Sequence, residues 1–168
     1  VTEKLGESVQ RRAADYLPSC STVKDALSAS SVGIKGDGVS SMHDATEGGV
    51  LGGLYELAEA SVRRIEVDPL RIFVSEETRK ICSLFRLDPL TTLSEGTLII
   101  TCSKKKTDQV QRKLSRAGIP SYVVGEVVKE GPSGLLLVGN ERRAKRYLPP
   151  YYDPYWNAYS RAVKKGWR

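Results

Sequence analysis

Ser40-Ser41-Met42-His43-Asp44-Ala45-Thr46-Glu47-Gly48-Gly49-Val50-Leu51-Gly52-Gly53-Leu54-Tyr55-Glu56-Leu57-Ala58-Glu59-Ala60 is the stretch on which the fold turns. It reads as the end of a short strand, a turn and then a helix. Asp44, followed three residues later by Glu47, is a variant capping box that predicts a helix start near Ala45. Val50, Leu51, Leu54, Leu57, Ala58 and Val62 then recur at the helical period. Gly48, Gly49, Gly52 and Gly53 fall in the first half of that helix, where each costs about 1 kcal/mol relative to Ala. Two readings offset the penalty. In one, small residues let a strand or helix approach closely. In the other, glycines at a helix N-terminus leave backbone N–H groups open to an anion, usually phosphate.

Toward the N-terminus, Leu5, Val9, Ala13 and Leu17 mark one face of a helix over residues 3–17, ended by Pro18. Ser21 to Leu27 suggests a second short helix. The run from Gly33 to Gly38 is turn chemistry whose glycines make either a surface turn or a phosphate cradle. Beyond the central helix, Arg64 to Asp68 alternates like a strand and stops at Pro69. Ser75 or Glu76 opens a helix through Phe85, with Thr78, Ile81, Cys82 and Phe85 on its inner stripe. Thr97 to Thr101 is apolar enough for a central strand. Lys104 to Ala117 reads as a helix stopped by Gly118, and Tyr122 to Val128 as a strand. Gly134 to Val138 is its expected hairpin partner. This order predicts an α/β (α+β) sandwich with a mixed sheet and flanking helices.

The net charge of +6 is unevenly placed: residues 141–168 hold eight Lys or Arg against two acids, and the first 140 residues balance. Any argument for an acidic partner therefore rests on the tail. Leu148 to Trp156 packs four aromatics and three prolines into nine residues. Asp153 suits the N-cap of a last helix with Pro154 at its first position. Tyr155, Trp156, Tyr159 and Val163 form a stripe that either clamps this helix to its own domain or offers a platform for bases. Cys20, Cys82 and Cys102 are isolated, which suits reduced intracellular thiols and argues against a structural zinc site. No apolar run approaches the roughly 18 residues of a membrane span. The chain opens at Val1 with its only methionine at Met42, as expected of a fragment or a processed product.

The Gly-rich stretch resembles the Asp-Pro-Thr-Arg-Gly-Gly segment of the AIR-synthase-related superfamily, in particular hydrogenase maturation proteins of the HypE type. The likeness continues through Leu87-Asp88-Pro89-Leu90 and Ser94-Glu95-Gly96-Thr97-Leu98-Ile99-Ile100, and returns at Val124-Gly125-Glu126-Val127-Val128. It implies a linker helix and entry segment over 1–38, a C-terminal-domain core over 39–140 and a basic, aromatic extension over 141–168. It also implies an ATP-dependent protein, cytoplasmic and homodimeric, whose N-terminal domain supplies most ATP and Mg²⁺ contacts. The present domain would close the cleft and, alone, bind ATP no tighter than roughly millimolar. Catalytic candidates by resemblance are Glu95 as a base and Asp44, holding a phosphate-bound Mg²⁺ or orienting the loop. Thr46, Gly48, Gly49 and Gly96 are the phosphate-contacting candidates, and no metal site is expected on this chain itself.

Several candidates have plainer roles beside these. Asp44 suits an N-cap, Thr46 a first helical turn, Glu95 a solvated strand junction, and the single His43 a hydrogen-bonded structural residue. Two departures from the HypE pattern stand out. Glu47 replaces an arginine, and the last cysteine is Cys102, whereas HypE carries its reacting cysteine at the chain end. A non-catalytic assembly factor that binds a protein through the tail is the competing expectation. Nucleic-acid binding is a more distant one, since no helix-turn-helix, RNP-like or zinc-finger pattern is present.

Overall fold

Periods of two and of 3.6 resolve into six strands and seven helices among the residues described by the computed structural model, which are 2–36, 38–139 and 144–167. In chain order these are α1 (Thr2–Leu5), α2 (Glu7–Ala14), α3 (Val23–Ser30), β1 (Val39–Ala45), α4 (Gly49–Ser61), β2 (Arg64–Val67), α5 (Glu76–Phe85), β3 (Thr97–Cys102), α6 (Thr107–Arg116), β4 (Gly125–Val128), β5 (Gly134–Leu137), β6 (Lys145–Arg146) and α7 (Pro154–Lys164). Asp37 of the glycine turn and the expected boundary at 140/141 lie outside the described residues.

Helix α4 lies between two sheets. On one side is an antiparallel ribbon of β1 and β3; on the other is a mixed sheet in the order β4-β2-β5-β6. Leu51, Leu54 and Ala58 of α4 share one buried cluster with Ala45 and Ile99 of the ribbon and with Ile65, Val67 and Leu135 of the sheet. A second cluster joins Ala29 of α3 and Val110 and Leu114 of α6 to Val39, with Met42 and Ile100 packed against it. The ribbon is thus covered on both faces, Ile99 turned toward α4 and Ile100 toward α3 and α6. This corrects the reading of Thr97–Thr101 as a central strand. Its continuous apolar run reflects burial on two faces; among the described residues β3 pairs with β1 alone.

The expected hairpin between residues 122–128 and 134–138 does not form. Strand β2 lies between the two segments, antiparallel to β4 and parallel to β5. Ile65 and Val67 of β2 are buried, so its apolar face is covered at an interior position of the sheet. Only Gly125 to Val128 joins the ladder, and Tyr122 instead stacks on Phe73 at a centroid distance of 5.3 Å. The helix expected over 3–17 is broken at Gly6 and ends at Ala14. In α5, Ser75 is the N-cap and Cys82 is buried as read, but Thr78 is exposed and bonds Ser75.

The predicted helix start is also corrected. Asp44 and Ala45 belong to β1, and α4 begins four residues later, with Gly48 as its N-cap. Gly48 and Gly49 are therefore not interior helix residues. Both have positive φ, 76° and 66°, in the region that L side chains avoid. A Cβ on Gly49 would stand 2.6 Å from the Leu90 carbonyl oxygen and 2.7 Å from that of Thr92. Further along, a Cβ on Gly53 would stand 2.9 Å from Ile99 Cδ1 and 3.6 Å from Ala45 Cα, so this glycine lies where ribbon and helix come close.

At the N-terminal end, Arg12 of α2 donates to the buried Glu77 of α5 at 2.6 Å, and Tyr16 donates to the same carboxylate at 3.3 Å. The Arg12 hydrogen bond is the main reason the Glu77 carboxyl is held below its usual range. A depressed folded value means that the ionised pair stabilises the fold above the unfolded carboxylate pKa, and that this contribution is lost as pH falls through the folded value.

Two predictions follow from these contacts. Gly49→Ala destabilises the domain by about 2–4 kcal/mol in urea titration, combining left-handed strain with overpacking. Gly118→Ala, at φ 77° with open space around it, loses only the strain contribution of about 1–2 kcal/mol. Equal effects would remove the packing argument at Gly49. Glu77→Gln lowers the melting temperature at pH 7, and the gap from wild type closes as the pH falls below about 4, the ordinary carboxylate range. A gap that persists at acid pH would rule out the ion pair as its source.

Candidate functional site

A helix beginning with two glycines has no cap of its own. In a capping box the N-cap side chain accepts from the third helical N–H, and the third side chain reaches back to the N-cap N–H. Gly48 and Leu51 occupy those positions and can do neither. Both roles are filled from distant segments. Leu51 N–H donates to the Leu90 carbonyl at 3.0 Å, and Gly48 N–H donates to Asp153 Oδ2 at 2.7 Å.

Asp153 is 7% exposed, and its second oxygen accepts from Thr92 Oγ1 at 3.1 Å and from Tyr155 N–H at 2.7 Å. The Tyr155 bond is the expected N-cap of α7, with Pro154 at the first position. One carboxylate therefore lies at the N-termini of α4 and α7 together, where both macrodipoles favour negative charge. Beside it, Trp156 Nε1–H donates to Glu47 Oε1 at 2.9 Å. The Tyr147 hydroxyl is buried with no hydrogen-bond partner among the described residues. Burial, and then the Asp88 and Asp153 carboxylates, push its pKa up. Asp88 itself caps the Leu87–Leu90 turn through Leu90 N–H at 2.9 Å.

The candidates read from sequence gather at one end of the ribbon, in different states. The Thr46 carbonyl accepts from Gly49 N–H at 3.1 Å and from Ser94 N–H at 3.0 Å, which brings the Ser94-Glu95-Gly96 segment alongside the glycine turn. Glu95 is exposed there. Asp44 is exposed on β1, opposite Leu98. Gly96 lies against the Ser19–Cys20 backbone, where a Cβ would stand 2.5 Å from the Ser19 carbonyl oxygen. His43 bonds Glu56 at 2.8 Å. The Gly48 and Gly49 N–H groups are engaged by Asp153 and Thr46. No three His, Cys, Asp or Glu side chains converge as metal ligands among the described residues.

Sequence reasoning missed Thr92, the Trp156–Glu47 bond and the second role of Asp153. The Asp-Pro pair was visible as a helix cap. Its contact with Gly48 spans 105 residues and has no local signature.

Residues 1–137 match the family described as AIR synthase related protein, C-terminal domain. Carbamoyl dehydratase HypE of Escherichia coli is 34% identical over 104 residues, which are 61% of this chain and 30% of that protein. The chain therefore spans less than a third of this relative's length. A crystal structure of E. coli HypE matches with TM-score 0.68 and 27% identity, over 81% of this chain and 41% of that one. A structure of HypE in complex with ATP matches with TM-score 0.62 and 24% identity, over 71% of this chain and 38% of that one, a likeness of fold.

Thr92→Val tests the carboxylate clamp, since it preserves shape and removes one buried donor to a charged acceptor. It is expected to cost about 1.5–3 kcal/mol in urea titration, in the range for hydrogen bonds to charged groups. A change below about 0.5 kcal/mol, the level of ordinary surface substitutions, would show that Asp153 does not depend on it.

Proposed function

This chain belongs to the AIR synthase related protein C-terminal domain family, and from that membership we propose that it forms the C-terminal part of an ATP-dependent, HypE-related protein. In this reading it closes the phosphate side of a cleft whose other walls, and whose Mg²⁺ ligands, come from an N-terminal domain outside this chain. The observation that carries the reading is the glycine turn at Gly48, whose N–H already holds an anion, the Asp153 carboxylate, at a helix N-terminus. Thr46, Gly48 and Gly49 lie at that turn, and the neighbouring segment carries Gly96 and presents Glu95 to solvent, free to serve as a base. In this reading Asp44, exposed two residues before Thr46, orients the turn or meets a phosphate-bound cation. ATP supplies a transferable γ-phosphoryl group when bound. This chain's own part is to position it and to exclude water.

A second reading, an assembly factor that docks a protein partner, is favoured by one observation. The tail helix is held through Ala158, while Trp156 and Tyr159 stay about half exposed, at 49% and 53%.

The two readings separate in the complete protein. Glu95→Gln alters an exposed side chain and leaves the fold unchanged, so circular dichroism is expected to match wild type. ATP turnover falls about 100-fold or more, the usual contribution of a general base. Wild-type turnover in the variant would remove Glu95 as the base, and no turnover in the parent would sink the enzymatic reading and leave the assembly factor.

A further inference from the structure

Leu148-Pro149-Pro150-Tyr151-Tyr152 forms an exposed strap between two fixed points of the tail. Upstream, Lys145 and Arg146 pair with β5, and Tyr147, 9% exposed, enters the core with its N–H on the Leu135 carbonyl at 2.9 Å. Downstream, Asp153 is buried at the start of α7. Between them Leu148 is 68%, Tyr151 91% and Tyr152 70% exposed, and both prolines are exposed as well. Large apolar and aromatic side chains left in water along a segment tied down at both ends mark an interaction surface.

Proline dictates the shape of the strap. Each ring holds φ near −65° and removes an N–H, and Leu148 and Pro149, each preceding a proline, are driven out of the helical region. Residues 148–152 accordingly make no backbone hydrogen bond among the described residues. An extended backbone left to solvent suits the polyproline II form, with three residues per turn. Pro149 and Tyr152 stand one such turn apart. Segments of this kind are recognised in aromatic-lined grooves, and a strap already extended and tethered loses little entropy on docking. Charge narrows the partner further. Lys145, Arg146, Arg161, Lys164 and Lys165 flank the strap in sequence, and Asp153, the single acid among described residues 144–167, is buried. A groove with an acidic rim complements this surface, whereas a second copy of the tail would set cations against cations.

We infer that residues 148–152 dock in an aromatic-lined, acid-rimmed groove of a protein domain that reads Pro-Pro-x-Tyr. Pro149 and Pro150 lie against the aromatics, Tyr152 fills a neighbouring slot, and Tyr151 is the position the groove does not read. The inference deepens the assembly-factor reading and rests on it for the existence of a partner. It moves the contact from the face of α7 to the strap.

The probe is a WW domain that takes Pro-Pro-x-Tyr peptides, titrated calorimetrically into the complete protein. Wild type is expected to bind. Pro150→Ala and Tyr152→Ala are each expected to weaken binding about thirtyfold or more, the level of an interface hot spot, and Tyr151→Ala by less than about threefold. All three side chains are exposed, so the melting temperature is expected to stay at the wild-type value in each variant. No binding by wild type overturns the inference and leaves the assembly-factor reading to its turnover test. A loss in Tyr151→Ala equal to that in Tyr152→Ala overturns the Pro-Pro-x-Tyr register. Binding lost in Tyr159→Ala but kept in Pro150→Ala and Tyr152→Ala overturns the strap alone and leaves a partner docked on α7. Self-association of wild type that Tyr152→Ala abolishes assigns the strap to a second copy and overturns the inference.

Discussion

The uncapped start of α4 is the constraint from which the rest of the architecture follows. A helix that opens Gly48-Gly49-Val50-Leu51 has no side chain able to satisfy its first N–H groups, and buried donors of this kind are rarely left unpaired. The chain meets the need from two distant places, the Leu90 carbonyl and the Asp153 carboxylate. Each cap ties a segment to the same point: the Asp88 turn on one side and the C-terminal strap on the other. The glycines that make the helix hard to cap are the same ones that let Leu90 and Thr92 come close enough to help.

The second consequence is layer spacing. Because α4 is covered by the ribbon and by the mixed sheet, its first half has no solvent face, and a stripe of small residues is what two-sided burial demands. Gly53 against Ile99 sets the ribbon side, and Leu51, Leu54 and Ala58 fill the shared cluster. Structural and chemical readings of the glycines are therefore compatible. Gly49 and Gly53 answer to packing, and the Gly48 N–H is held by the Asp153 carboxylate.

The tail carries both structure and charge. Lys145 and Arg146 complete the sheet and Tyr147 completes the core, so this part of the basic extension is part of the domain's own packing. Beyond Tyr147 the chain is held mainly by polar contacts, with Asp153 at two helix N-termini.

Local chemistry was enough to read the helices, most strands and several caps. Period-two and period-3.6 apolar patterns predicted β2, α5 and α6, Ser75 and Asp153 were recognised as caps, and three ordered motifs led to the family. These features are decided within a turn or two of chain, where sequence and geometry correspond directly. Strand order was not legible, because β2 displaced the expected β4–β5 hairpin through the burial of Ile65 and Val67 in a sheet that spans much of the chain. The apolar run of β3 was misread as central because burial on two faces gives the same pattern in a two-stranded ribbon. The Asp44–Glu47 pair satisfied a capping rule that the structure did not use, since β1 continues through Ala45 to pair with Thr97. At the site, sequence singled out the glycine turn, but only tertiary structure decided what occupies it. Asp153 reaches Gly48 because the sheet edge at β6 and the proline-rich crossing set where α7 begins, and a contact between residues so far apart leaves no trace in the pattern of either segment.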